Sequence, residues 1–90
     1  MKIGVKAVPM AARIQAIRET INIYKVISLR DIALIHGLAE SHISRLLRFY
    51  TPGVNKIKHK QTLGGSGNWF YLYFTGDLND EKRLLIKKRY

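Results

Sequence analysis

The stretch Leu29–Arg48 (LRDIALIHGLAESHISRLLR) constrains this chain more than any other. Its spacing predicts two short helices joined by a tight turn. Ile32 and Ala33 fall on the inner face of the first helix, Gly37 and Leu38 in the turn, and Ile43 and Leu46 on the inner face of the second. Such a pattern lets two helices cross steeply around a shared apolar contact. Ala33 is small where the second helix passes close by. Gly37 can take the positive φ that ends one helix and begins the turn. One face of the second helix is thereby pushed outward.

The flanking sequence supplies the rest of the fold. Lys2–Val8 alternates and reads as a short strand or ordered arm over residues 1–8. Pro9 suits the first turn of a helix, and Ile14, Ile17, Ile21 and Tyr24 recur at three- and four-residue spacing after it. Arg13, Arg18 and Glu19 take the wet face of that helix. Val26 and Ile27 read as a very short strand, and Ser28 as the N-cap of the helix that follows, with Asp31 near its positive end. Thr51-Pro52-Gly53 ends the third helix, closing a helical core over residues 9–51. The period then changes to two. Val54–Thr62 and Asn68–Thr75 read as a hairpin over residues 54–75, with Leu63–Gly67 as its tip. Residues 78–90 read as a last helix capped by Asn79 or Asp77, with Asp80 and Glu81 early and Lys87, Lys88 and Arg89 late, in the order the helix dipole favours.

Composition narrows the class of partner. Ninety residues make one small domain, and a 47% hydrophobic share is enough for a core. Lys and Arg number 16 against 6 Asp and Glu, a formal net charge of +10 that points to a polyanion. Ribosomal, membrane-surface and thermophile proteins are basic too, so charge alone does not choose among them. The absence of cysteine excludes disulfides and thiolate metal sites. No apolar run reaches the length of a membrane span. Lys6 and Pro9 break the apolar character of the first residues, so no signal peptide is read there and an intracellular, cytoplasmic protein is expected.

Three helices followed by a hairpin with a glycine-rich tip resemble a winged helix-turn-helix domain. The resemblance rests on Ile32, Ala33, Gly37, Leu38, Ile43 and Leu46 and covers roughly residues 10–75. It is nearest to the small winged-helix regulators of archaea and their viruses. His36 stands where that family usually has an apolar residue, and Ala39 where it usually has a capping Ser, Thr or Asp. The resemblance implies an α+β fold, mainly α, with a three-helix core, a hairpin wing and a C-terminal helix. It also implies that the outward face of the third helix enters a major groove. Glu40, Ser41, His42, Ser44, Arg45 and Arg48 are then the base-reading candidates, with Arg45 and Arg48 suited to guanine O6 and N7. Ser28, Arg30, Lys56, Lys58, Lys60, Ser66 and Asn68 are the candidates for backbone contact around the wing. Lys56, Lys58 and Lys60 alternate, so they share one strand face; the same lysines also guard an edge strand against aggregation.

Other motifs lead less far. Leu63-Gly64-Gly65-Ser66-Gly67 precedes a strand and lacks the following Lys-Ser or Lys-Thr, so it reads as a hairpin tip and not a nucleotide loop. His36, His42 and His59 have no metal-site spacing, and Ser41, Ser44, His42 and Asp31 do not form a catalytic triad, so neither a metal nor catalysis is expected. In the run Trp69–Phe74, either Phe70, Leu72 and Phe74 or Trp69, Tyr71 and Tyr73 must cover the helical core. The other set is buried by flanking helices, or remains exposed as a dimer contact or as a stacking platform for single-stranded nucleic acid. Leu78, Leu84, Leu85 and Ile86 of the last helix fold back on the domain or pair with a second chain.

The expectation is a sequence-specific double-stranded DNA-binding protein, a transcriptional regulator acting as a homodimer on half-sites about 34 Å apart or a multiple of that. No cofactor, small-molecule ligand or membrane partner is expected. An RNA-binding, ribosomal-like protein and a protein-interaction module are the rival readings.

Overall fold

The computed structural model describes residues 9–61 and 67–90. The expected arm over 1–8 and Ser66 lie outside them. The described residues form an α+β fold of four helices and one three-stranded antiparallel sheet. In chain order these are α1 (Met10–Tyr24), β1 (Val26–Ser28), α2 (Leu29–His36), α3 (Glu40–Tyr50), β2 (Val54–Lys60), β3 (Trp69–Thr75) and α4 (Asp80–Arg89). The sheet order is β1-β3-β2. Val26 pairs with Phe74 and Ser28 with Leu72 on one side of β3; Val54 pairs with Thr75 and Lys60 with Trp69 on the other.

Local signals set most boundaries. Pro9, at φ −55°, leads into the first turn of α1. The Ser28 hydroxyl accepts from the Asp31 N–H at 3.1 Å and starts α2. Gly37 ends α2 in the left-handed region at φ 64°, its N–H bonding the Ala33 carbonyl. No side chain caps α3 at Ala39, as the residue type dictates. The last helix begins two residues later than the sequence pattern suggests. The Asn79 side chain accepts from the Lys82 N–H at 2.9 Å and fixes the start at Asp80.

Two apolar clusters lie on opposite faces of the sheet. Ile17, Ile21, Ile27, Ile32, Ala33, Ile43, Leu46, Leu47 and Tyr73 form the cluster under α1, α2 and α3. Val26, Leu72, Phe74 and Ile86 form the second, under α4. Each fully buried Ile stabilises the fold by roughly 1.5–3 kcal/mol. The aromatic strand therefore serves both faces over its second half. Leu72, Tyr73 and Phe74 are buried, while Trp69 and Tyr71 stay exposed.

Two readings of the α1 faces are corrected by this packing, that of Tyr24 and that of Arg13 with Arg18. Tyr24 is exposed in the last turn of α1; on α4 Ile86 is buried and Leu84 exposed, so only part of that apolar set folds back on the domain. Arg13 and Arg18 are half-buried and bond across the fold; Arg18 Nη1 donates to the Pro52 carbonyl at 2.8 Å. His36 keeps a polar role at an apolar position, with Nε2 2.9 Å from the Thr20 hydroxyl of α1.

Candidate nucleic-acid interface

Helical periodicity places Ser41, Arg45 and Arg48 on the exposed side of α3, opposite the buried Ile43, Leu46 and Leu47. Arg48 lies 5.8 Å from the Phe49 ring centroid, so its guanidinium rests over an aromatic face. Ser44 is half-buried, and its hydroxyl engages the Tyr73 phenol. Burial pushes that phenol above its ordinary value, and the Ser44 hydroxyl partly offsets the rise.

A groove runs between α3 and the start of the hairpin. Ser44, Arg48 and Phe49 line it from α3, Pro52 and Gly53 from the loop, and Lys56 and Tyr73 from the sheet. Strand periodicity carries the same face outward. Lys56, Lys58 and Lys60 are all exposed and pair with Tyr73, Tyr71 and Trp69, which share their face. Lys56 Nζ lies 4.6 Å from the Tyr71 centroid and Lys58 Nζ 5.9 Å from that of Trp69. Arg48 and Lys56 thus border one groove, and Lys58 and Lys60 extend it along β2.

Five of the expected contact residues are placed elsewhere. Ser28 is buried, with its hydroxyl on Asp31 and its N–H on the Tyr90 hydroxyl at 3.0 Å, so it cannot reach an outside phosphate. His42 is half-buried toward α1, its Nε2 3.5 Å from Arg13 Nη1. Glu40 and Arg30 border a second cleft, shared with Asp31, Gln61, Asn68 and Tyr90, and not the lysine-lined groove. Asn68, in that same cleft, also closes the hairpin, its carbonyl accepting from the Gln61 N–H at 2.8 Å.

Sequence reasoning missed Phe49, which is 67% exposed on α3 beside Arg48. The signal available was its position next to the buried Leu46–Leu47 pair, one step past the inner face. Among the described residues, no group of three His, Cys, Asp or Glu is placed to hold a metal ion. No helix there is long and apolar enough to cross a membrane. No protein-family description, curated protein or solved structure matches the chain.

Proposed function

We propose that this is a winged-helix protein that binds double-stranded DNA in a sequence-specific way and regulates transcription as a homodimer. The observation carrying this reading is the continuity of Arg48 and Lys56 across one groove, prolonged by Lys58 and Lys60. The order α1–β1–α2–α3–β2–β3 with sheet order β1-β3-β2 supports the fold assignment. In this reading α3 enters the major groove. Arg45 and Arg48 contact base edges, each bidentate contact discriminating by about 1–3 kcal/mol. Ser41 contacts base or phosphate, and the lysines of β2 hold the adjacent backbone. The net charge of +10 steers the encounter.

The homodimer is supported by apolar side chains away from that groove. Ile23 on α1, Leu34 and Ile35 on α2 and Leu84 on α4 are exposed. Sedimentation at micromolar concentration tests it; a monomer that protects a single half-site removes this part of the proposal.

Fluorescence anisotropy against duplex DNA, single-stranded DNA and structured RNA, across a salt series, tests the main reading. Three lysines and two arginines on this surface predict a log–log salt slope of magnitude about 3–5 per protomer. Lys58→Gln should lower the slope by about 1 for all sequences. Arg45→Ala should relax the preference at one base position after a selected site is known. Stronger binding to structured RNA than to any duplex overturns the regulator reading, and so does weak binding to all three.

A further inference from the structure

Trp69 is 59% and Tyr71 39% exposed, on the strand face that also carries Lys56, Lys58 and Lys60. The opposite face of the same strand is covered. Phe70 there packs edge-on to His59 at 5.5 Å and against Tyr90 at 5.5 Å. The hairpin is thus anchored from behind while two large rings reach solvent in front. Trp69 and Tyr71 are two residues apart, so their rings step by about 7 Å along the strand. That step suits successive nucleotides of an extended strand.

We propose that this face is a stacking platform for unpaired bases, so that the protein engages DNA in which a single strand adjoins the duplex. The inference rests on the duplex-binding reading for α3 and adds a second kind of substrate at the hairpin. Charge chooses the occupant. A second copy of the same face would bring its own three lysines against these three, whereas a nucleic-acid strand supplies phosphates for the ammonium groups and bases for the rings. In the free protein Lys56 and Lys58 rest over Tyr71 and Trp69. On binding they swing to phosphate and bases take the rings. The exchange is favourable. An exposed cation–π contact strengthens an equilibrium by a factor of about 2–5. A base stacked on an aromatic ring strengthens it by about 5–150.

Trp69 is the only tryptophan in the chain, so its fluorescence reports the platform directly. The probes are a blunt duplex, the same duplex with an oligo(dT) tail, and oligo(dT) alone. The tailed duplex should bind about 5–150-fold more tightly than the blunt one and quench Trp69, which the blunt duplex should not. Trp69→Ala should remove most of that gain, leaving what Tyr71 supplies, and keep blunt-duplex affinity within about twofold; Trp69→Phe should restore part of the gain. Equal affinity for tailed and blunt duplexes, with no quenching by the tail or by oligo(dT), overturns the platform and leaves duplex binding standing. Quenching by oligo(dT) without blunt-duplex binding overturns the α3 reading and supports stacking. Failure of all three probes to bind overturns both.

Discussion

Tyr90→Phe isolates one hydroxyl that holds α4 to the start of α2. The Tyr90 hydroxyl donates to Asp31 Oδ2 at 2.6 Å and accepts from the Ser28 N–H at 3.0 Å. The variant keeps the ring and its packing on Phe70. What it loses is a bond to a carboxylate, ordinarily about 1.5–3 kcal/mol, and the partner of a buried N–H, which costs about 1–3 kcal/mol when orphaned. Asp31 is half-exposed, so water can replace much of the first loss. Ser28 is 3% exposed, so its N–H has no such substitute. The expected sum is about 2–3 kcal/mol, or a fall in Tm of roughly 8–20 °C for a domain of this size. Urea and thermal unfolding by circular dichroism measure it, with the exposed Tyr71→Phe as control, expected within about 0.5 kcal/mol of wild type. A loss below about 0.5 kcal/mol for Tyr90→Phe refutes the reasoning, because the Ser28 N–H then has another partner or its burial is not maintained. The same hydroxyl gives a pH test. Burial first, then the bond to Asp31, raises the Tyr90 phenol above its ordinary value. Its folded pKa therefore exceeds the unfolded one, near 10. The stabilisation is fully present below pH about 10 and is lost as pH rises through the folded value. Tyr73, raised by burial, loses stability over the same alkaline range. Tyr90→Phe should make the alkaline loss shallower without removing it.

Lys82 Nζ donates to the carbonyls of Thr75 at 2.6 Å and Asp77 at 2.7 Å from a 9% exposed side chain, so Lys82→Met should destabilise by about 1–3 kcal/mol in urea unfolding. Lys25 sits at φ 71° and ψ −49° between α1 and β1, a conformation that strains a residue with a Cβ. Lys25→Gly should raise stability by about 0.5–1 kcal/mol in the same assay, once the extra flexibility of the unfolded glycine is subtracted. Ile43 is fully buried in the helical cluster, and Ile43→Ala should cost about 2–5 kcal/mol, measured as a shift of the urea midpoint at unchanged slope.

Features of the fold that were legible in the sequence are those set by neighbours along the chain. The Ile14–Ile17–Ile21 spacing, the Ser28 cap, the Gly37 turn and the two-residue period of the hairpin all act within a few residues. What was not legible depends on partners far away. Nothing local tells which aromatics of β3 are covered, because the cover comes from α4 on one face and from α1, α2 and α3 on the other. Lys82, buried and aimed at backbone carbonyls, is indistinguishable in sequence from a surface lysine. His36 departs from the usual apolar pattern because Thr20, sixteen residues earlier, supplies its partner. Of the candidate site, Arg45, Arg48 and the three lysines follow from periodicity alone. The burial of Ser28 and the turn of His42 toward Arg13 of α1 were not legible, because each depends on a partner far along the chain.

The two edges of the sheet are handled in opposite ways, and that difference bears on the proposed binding face. At the β1 edge the polar groups are taken up by residues at the end of α4. Arg89 Nη1 donates to the Tyr24 carbonyl at 2.7 Å and to the Val26 carbonyl at 2.9 Å, and Tyr90 accepts from Ser28. That edge is covered and offers little to a second strand. At the β2 edge no further strand pairs among the described residues, and Lys56, Lys58 and Lys60 place charge there. A row of ammonium groups repels another basic sheet but attracts a polyanion, so the device that prevents edge-to-edge pairing also prepares the surface for phosphate. The covered edge stabilises the domain, and the charged edge is the one the proposed function uses. Replacing all three lysines with glutamine should therefore change two properties together. Nucleic-acid affinity should fall steeply at low salt, and light scattering should report association beyond the dimer that wild type does not show. Loss of affinity without that association would assign the lysines to binding alone.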